Sequence, residues 1–84
     1  MTNIIIYTTT YCPYCEKAKK LLDKKQVEYT EIDLTNDDQG RIDLVSKSNG
    51  RKTVPQIFIN NKHIGGCDDL YALEANQELD RLLV

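Results

Sequence analysis

A strand, a turn that carries two cysteines and a helix follow one another in the first third of the chain, and this order restricts the possible folds more than any other feature. The run from Asn3 to Thr8 is apolar and rich in β-branched residues, which is typical of a buried strand. Pro13 follows a threonine-rich turn and suits the first turn of a helix, because its missing N–H would have no helical partner there. Apolar residues then recur at helical spacing as far as Leu22. We therefore predict a first helix from about Pro13 to Lys25.

The residues after this helix predict a second strand and a second helix. Val27 to Leu34 alternates apolar and polar residues and is interpreted as a strand. Strand, helix and strand in so short a space predict a right-handed parallel βαβ unit. Thr35 or Asn36 is expected to cap a second helix that runs to about Ser48. Its inward-facing residues are expected to be Ile42 and Val45.

The last third of the chain predicts a hairpin and a third helix. Gln56 to Ile59 and Lys62 to Ile64 are interpreted as short strands, joined by a turn at Asn60-Asn61 that tolerates positive φ. Asp68 is expected to cap the third helix, and the last leucines to form a final turn or short helix. The predicted order is β-α-β-α-β-β-α. It gives an α/β fold with a mixed four-stranded sheet flanked by helices.

Length, charge and cysteine count exclude several classes of protein. The chain has 84 residues, a size that fits one domain over residues 1–84. Its formal net charge of −2 argues against nucleic acid as a partner, because binding phosphates takes clustered Lys and Arg. No apolar run approaches the roughly 18 residues of a membrane span, and Met1 to Ile6 lacks the features of a secretory signal. Three cysteines, an odd count, fit a reducing compartment, so we expect a cytoplasmic protein.

Cys12 and Cys15 form a CxxC pair next to the predicted βαβ unit, a combination typical of a thioredoxin-like redox site. At the start of the helix, Cys12 meets unpaired backbone N–H groups and the positive end of the helix dipole, and both favour the thiolate. Cys15 lies one turn further on and continues the inward-facing stripe, so it is close enough to form a disulfide but more buried. We therefore predict that Cys12 attacks the substrate and that Cys15 resolves the resulting mixed disulfide.

Two structural roles compete with redox chemistry for these cysteines. An inert core pair is one, but Cys12 lies in a polar turn and not in an apolar stripe. A zinc site is the other, since Cys12-x₂-Cys15 and His63-x₃-Cys67 imitate a set of four ligands. Against zinc, the two halves are separated by a complete α/β core, whereas zinc in small domains usually replaces such a core. The spacing therefore favours redox chemistry, and we expect no metal site.

Two further motifs bear on the substrate. Thr53-Val54-Pro55 stands just before a predicted strand, and a proline in a simple loop is one interpretation of it. If the bond before Pro55 is cis, the N–H and C=O of Val54 form an unpaired edge that can hold an extended peptide. At the start of the third helix, Gly66-Cys67-Asp68 offers N–H groups to a carboxylate, and Asp68 offers a partner for an amine. Together these features suit a small zwitterionic peptide.

Three motifs occur with the order and spacing of a known family: CPYC at 12–15, TVPQIFI at 53–59 and GGCDDL at 65–70. With them the chain resembles the dithiol glutaredoxins of the short bacterial type, from Ile4 to Leu83. The resemblance implies a thioredoxin fold, a cis bond before Pro55, catalysis by Cys12 and Cys15, and glutathione as co-substrate with no permanently bound cofactor. The glutathione-binding residues that it implies are Tyr14, Thr53, Val54, Pro55, Gly66, Cys67 and Asp68.

The same resemblance implies a monomeric, glutathione-dependent thiol-disulfide oxidoreductase. Its implied partners are disulfide-containing or glutathionylated proteins, with ribonucleotide reductase as the family's example. We expect it to bind neither nucleic acid nor a membrane. The alternatives are a thioredoxin-like reductase served by a flavoenzyme, and an iron–sulfur or zinc-binding module. Tyr14 and the helix start at Asp68-Asp69 favour glutathione over a flavoenzyme as the reductant of the protein. Pro13 and the second cysteine of the pair argue against a cluster carrier.

One position departs from the family pattern. Related proteins often carry a lysine shortly before the first cysteine, where this chain has Thr9. The candidate cations for the glycine carboxylate of glutathione are then Arg41, Arg51 and Lys52. Cys67 is expected to contribute its backbone N–H more than its sulfur, and His63 to be a surface residue and not a base.

Overall fold

The computed structural model describes residues 2–83, which form a four-stranded sheet with helices packed against it. The elements are, in order, β1 (Ile4–Thr8), α1 (Pro13–Lys24), β2 (Thr30–Asp33), α2 (Asp38–Lys47), β3 (Gln56–Ile59), β4 (Lys62–Gly65), α3 (Cys67–Ala75) and α4 (Leu79–Leu83). The predicted order is confirmed, and the final turn is a separate short helix, α4. None of the helices in the described residues is both long and apolar enough to cross a membrane.

The sheet has the strand order β2-β1-β3-β4 and contains both parallel and antiparallel pairs. β1 is parallel to β2 and antiparallel to β3, and β3 and β4 form the predicted hairpin. This is the predicted mixed sheet of a thioredoxin-like fold. Because β1 and β3 run in opposite directions, the end of β1 meets the start of β3, where Tyr7 lies opposite Gln56. The turn with the two cysteines therefore lies beside the segment that precedes β3.

The core lies between one face of the sheet and the helices α1 and α3. β1 and β3 contribute alternate residues, as a strand with a period of two requires, and α1 contributes the predicted helical stripe. The core residues are Ile4, Ile6, Ala18, Leu21, Leu22, Ile57, Ile59, Cys67, Leu70 and Leu79. Cys15 lies on the same stripe of α1 and is 1% exposed, so packing of this helix buries the second cysteine.

The second strand is shorter than predicted. β2 begins at Thr30 instead of Val27 and ends at Asp33 instead of Leu34. Its backbone pairing with β1 begins only at Thr30, although Val27 and Tyr29 already pack against the core. The alternation of apolar residues therefore identified the buried side chains correctly, but not the extent of strand pairing.

Helix α2 has a different cap and a different inward face from those predicted. Asp37 is the cap, because its carboxylate accepts the Gly40 N–H at 2.9 Å. The predicted caps, Thr35 and Asn36, lie before the helix. In this register Leu44 is 4% exposed, whereas Ile42 is 63% exposed. The predicted inward position of Ile42 is therefore wrong, and Val45 is half-buried.

Helix α3 also begins differently from the prediction. Gly66 and not Asp68 is its N-cap residue, and Asp68 is exposed in the first turn. The Asp69 carboxylate accepts the Gly66 N–H at 2.8 Å, so the acid that ties down the helix start is one residue later than expected. The sharp turn from β4 into α3 places Gly65 at a φ of +123°, a conformation that favours glycine.

Candidate active site

Cys12 and Cys15 occupy unequal environments at the start of α1. Cys12 is the N-cap residue, and its Sγ accepts the Cys15 N–H at 3.1 Å. The two side chains are joined as a disulfide, with Cα atoms 5.1 Å apart. Cys15 is 1% exposed, whereas Cys12 is half-buried. An approaching molecule therefore meets Cys12 first, and N–H groups of the first turn stabilise negative charge on its sulfur.

The segment before β3 approaches Cys12 from the other side. The Val54 carbonyl oxygen lies 3.8 Å from the Cys12 Sγ. The bond between Val54 and Pro55 is cis, as the resemblance implied. The alternative interpretation, in which Pro55 is an ordinary proline of a simple loop, is therefore wrong. Within residues 2–83 the Val54 N–H has no hydrogen-bond partner, so this backbone edge is free to pair with an extended ligand.

A groove beside Cys12 is lined by the start of α1, the segment before β3 and the start of α3. Its volume is about 180 Å³. Its lining residues are Tyr14, Arg51, Thr53, Val54, Pro55, Gly66, Cys67 and Asp68. All seven residues predicted to bind glutathione are among them, together with Arg51. Segments that are distant in the sequence therefore meet on one surface next to the predicted nucleophile.

Cys67 has a buried side chain, although it lies at the groove. The side chain is 4% exposed and packs in the core. Burial raises the pKa of the Cys67 thiol, an effect that Lys17 opposes only in part. The thiol therefore stays protonated at neutral pH and is a weak nucleophile. In the described part of the chain, the N–H groups of Cys67 and Asp68 have no partner, which leaves both for an anionic ligand.

Asp69 organises the α3 end of the groove, a role that the sequence did not lead us to predict. Its Oδ2 accepts the Gly66 N–H at 2.8 Å and an N–H of the Arg51 guanidinium at 2.7 Å. The bond from Arg51, followed by the one from Gly66, holds the pKa of the Asp69 carboxyl below its ordinary value. An acid three residues after a helix cap is a known sequence signal for this role. Nothing local to the sequence marks Arg51 as its partner.

Arg41 and Lys52 line a second cavity that adjoins the groove. The two cavities share Arg51, Thr53 and Val54. Arg51 is engaged by Asp69, whereas neither Arg41 nor Lys52 forms an ion pair with another residue between positions 2 and 83. Of the three candidate cations, these two are therefore the ones without an ion pair in that part of the chain.

His63 lies at the surface, as predicted, but it is half-buried and bonded through both ring nitrogens. Its Nε2 lies 2.7 Å from the Gln56 Oε1, and its Nδ1 lies 3.2 Å from the Asn49 Nδ2. Burial, followed by the positive charge of Arg51, lowers the pKa of the His63 ring, and Asp69 acts in the opposite direction. His63 does not line the groove beside the cysteines.

The zinc alternative is not favoured by the arrangement of its four supposed ligands. Across residues 2–83, no group of three or more His, Cys, Asp or Glu side chains is close enough together to hold a metal ion. His63 is engaged by its two hydrogen bonds, and the Cys67 side chain points into the core.

Comparison with known proteins agrees with this geometry. Residues 4–64 match the family model for glutaredoxin. The chain belongs to the glutaredoxin family. Glutaredoxin 1 of Rickettsia typhi is 58% identical to it over 82 residues, which cover 96% of this chain and 79% of the relative. Glutaredoxin 3 of Escherichia coli K12 is 52% identical over 83 residues, which cover 99% of each protein.

A solved glutaredoxin structure has the same fold. The buckwheat glutaredoxin–glutathione complex superposes with a TM-score of 0.89 at 34% identity, covering 98% of this chain and 76% of that one. As a glutaredoxin, the chain is a thiol-disulfide oxidoreductase. The predicted family, fold and enzyme class are therefore confirmed, and the disulfide-forming pair Cys12 and Cys15 fits the CxxC active site of the family.

Proposed function

We propose that this glutaredoxin uses glutathione to reduce glutathione mixed disulfides and protein disulfides, with Cys12 as nucleophile and Cys15 as resolving cysteine. The groove carries the proposal, because it gathers the seven predicted glutathione-binding residues beside the more accessible of the two sulfurs. Cys15 is buried behind Cys12. A small peptide held in the groove therefore presents its sulfur to Cys12 and not to Cys15.

Glutathione is proposed to lie extended along the groove. Its cysteine residue pairs with the free N–H and the C=O of Val54, as one strand pairs with another. Its γ-glutamyl carboxylate accepts the N–H groups of Cys67 and Asp68 at the start of α3, and the Asp68 carboxylate receives the amine. Tyr14 flanks the peptide, and Thr53 is a further contact. The complex of the buckwheat relative with glutathione supports a ligand of this class.

The glycine carboxylate of glutathione is proposed to bind Arg41 and Lys52. These side chains line the cavity next to the groove, and Arg51 already neutralises Asp69. They replace the lysine that related proteins often carry where this chain has Thr9.

The first branch of the reaction acts on a glutathionylated substrate. The Cys12 thiolate attacks the glutathione sulfur, and the substrate thiolate leaves with the electron pair and takes up a proton. A second glutathione thiolate attacks the glutathione now bound to Cys12, so that oxidised glutathione forms and the Cys12 thiolate is regenerated. The Cys15 N–H, 3.1 Å from the Cys12 sulfur, stabilises this thiolate both as attacker and as leaving group.

The second branch acts on a protein disulfide. Cys12 attacks one sulfur of the disulfide, and the other leaves as a thiolate. Cys15, whose Cα lies 5.1 Å from that of Cys12, then attacks the Cys12 sulfur and passes its proton to the departing substrate thiolate. Two glutathione molecules reduce the Cys12–Cys15 disulfide and form one molecule of oxidised glutathione. Two electrons thus pass from glutathione to each substrate disulfide.

The proposed setting is the cytoplasm, where glutathione is a co-substrate and no cofactor is bound permanently. The proposed partners are glutathionylated or disulfide-containing proteins, ribonucleotide reductase among them. A monomer fits this function, because the groove has to stay open to a protein substrate.

A coupled assay tests the use of glutathione. With glutathione kept reduced by glutathione reductase and NADPH, the wild-type protein is expected to reduce a small glutathione mixed disulfide, measured as NADPH oxidation. In a parallel reaction, thioredoxin reductase and NADPH replace the glutathione system. Turnover in the second reaction alone would overturn the proposal in favour of a thioredoxin-like reductase. A coloured protein as purified would favour the iron–sulfur alternative, and unfolding by a chelator would favour the zinc module.

A further inference from the structure

Gln56, the first residue of β3, is a buried polar side chain whose amide joins two segments of the chain. It is 0% exposed, so its amide has to be satisfied within the protein. Its Nε2 donates to the Thr53 carbonyl oxygen at 3.0 Å and to the Thr53 hydroxyl at 3.3 Å. Its Oε1 lies 2.7 Å from the His63 Nε2. The amide therefore ties the segment before β3 to strand β4.

The hydrogen bonds around Gln56 have a fixed direction. Because the Gln56 nitrogen faces two oxygens of Thr53, its oxygen faces His63 and needs a donor there. We therefore assign the proton of a neutral His63 to Nε2. The Nδ1 is then an acceptor for the Asn49 amide, 3.2 Å away. Asn49, His63, Gln56 and Thr53 form a continuous chain of bonds, which we call the His63 relay.

The surroundings of His63 favour the neutral ring. The Phe58 ring packs against the imidazole with centroids 5.1 Å apart. Burial and the charge of Arg51 both lower the pKa of His63. The charges that act on the ring are those of Arg51, before β3, and Asp69, on α3. Lys62 on β4, Glu78 just before α4 and Arg81 on α4 line the same cavity as His63. Positive and negative groups are mixed, so no single acid holds the ring in its charged form.

We propose that His63 is a positioning residue that holds the Gln56 amide against Thr53 and so fixes the backbone edge at Val54 on which glutathione pairs. This inference rests on the proposed use of glutathione. His63 does not line the groove, so it acts only through Gln56. Its contribution belongs to glutathione binding and leaves the reactivity of the Cys12 sulfur unchanged.

Two variants that break the relay at different points test this inference. His63→Leu removes the donor to Gln56, and Gln56→Leu removes the amide itself. Each is expected to raise the KM for glutathione about five- to tenfold, the size expected for one buried hydrogen bond. The kcat at saturating glutathione and the rate of alkylation of reduced Cys12 are expected to stay at the wild-type values. Because both changes break the same relay, the double variant is expected to show about the loss of one of them.

Matched variants distinguish the loss of the His63 relay from a general destabilisation of the fold. His63→Gln supplies a side-chain N–H near the position of Nε2 and is expected to keep the KM within about twofold of wild type. Lys62→Ala, at the exposed neighbouring position of β4, is expected to leave the KM for glutathione unchanged. An unchanged KM in a folded His63→Leu protein, or losses that add in the double variant, would overturn the inference.

A spectroscopic test needs no turnover. Nitrogen-15 NMR of the imidazole is expected to show the proton on Nε2 in the wild-type protein, and a proton on Nδ1 would overturn the relay. If this tautomer is found but the wild-type protein makes no use of glutathione, the proposed function fails and the positioning role fails with it. If glutathione supports turnover and the KM of His63→Leu is that of wild type, only the relay fails.

Discussion

The two cysteines of the active site differ because one lies at the end of a helix and the other on its buried face. Cys12 is half-buried, with its sulfur 3.1 Å from a backbone N–H of the first helical turn. Cys15 is one turn further on and is 1% exposed. Exposure and thiolate stabilisation therefore both favour Cys12 for the proposed role of nucleophile, and burial leaves Cys15 the proposed role of resolving cysteine.

Serine substitutions separate these two roles. Cys12→Ser is expected to abolish both branches of the reaction, because no other exposed thiolate replaces the nucleophile. Cys15→Ser is expected to retain reduction of a glutathionylated peptide, which needs only Cys12, and to lose most reduction of a protein disulfide. Both activities are measured with glutathione as reductant. Equal losses of the two variants on the glutathionylated peptide would contradict this division of labour.

At the scale of elements, the start of α3 has a structural acid and a groove-lining acid side by side. Asp69 accepts the Gly66 N–H and pairs with Arg51, whereas Asp68 is exposed at the groove. Both lie in the first turn, so both interact with the helix dipole, and the difference between them reflects the bonds of Asp69 to Gly66 and Arg51.

Alanine substitutions at these two positions are expected to have different effects. Asp69→Ala should cost about 1 kcal/mol of unfolding free energy, the usual value of a lost helix cap. In a domain of this size that lowers the melting temperature by about 4–8 °C. Asp68→Ala should change the melting temperature less but raise the KM for glutathione, because the amine loses its partner. Equal melting temperatures for the two variants would show that the bond from the Gly66 N–H to Asp69 does not stabilise the helix start.

Prediction from the sequence succeeded at this scale where the signal lies in neighbouring residues. The buried run of β1 and the stripe of α1 are such signals, and both elements are where they were expected. The cap of α2 was missed because several consecutive residues before it are able to cap a helix. The Arg51–Asp69 and Gln56–His63 contacts join segments that meet only once the hairpin has its register, which shifts between Ile57 and Phe58. In the groove, the backbone groups of Val54, Cys67 and Asp68 were expected from local physics, whereas Tyr14 and Thr53 were predicted only from the family motifs.

At the scale of the whole molecule, groups whose pKa differs between the folded and unfolded states make stability depend on pH. Burial lowers the pKa of His63 in the folded protein. The contribution of His63 to the stability of the fold is therefore complete above its pKa in the unfolded chain, near 6.5, and is lost as the pH falls below that value. Hydrogen bonds from Arg51 and Lys19 lower the pKa values of Asp69 and Glu31 respectively. These two contributions are lost at lower pH, below about 4.

Thermal unfolding between about pH 2 and pH 8 tests this order of events. The wild-type melting temperature is expected to fall in two stages, first below about pH 6.5 and again near pH 4. In His63→Gln the first stage should disappear and the second should remain, because Asp69 and Glu31 are unchanged. A first stage that persists in the variant would show that another group causes it.

The unequal burial of the three cysteines also makes the chain a convenient carrier for chemical tags. After reduction, Cys15 and Cys67, at 1% and 4% exposed, are closed to a dissolved maleimide, while Cys12 is open to it. A fluorophore or spin probe can thus be attached at one known point without engineering any residue. That point lies at the mouth of the groove, so the tag reports directly on what enters it.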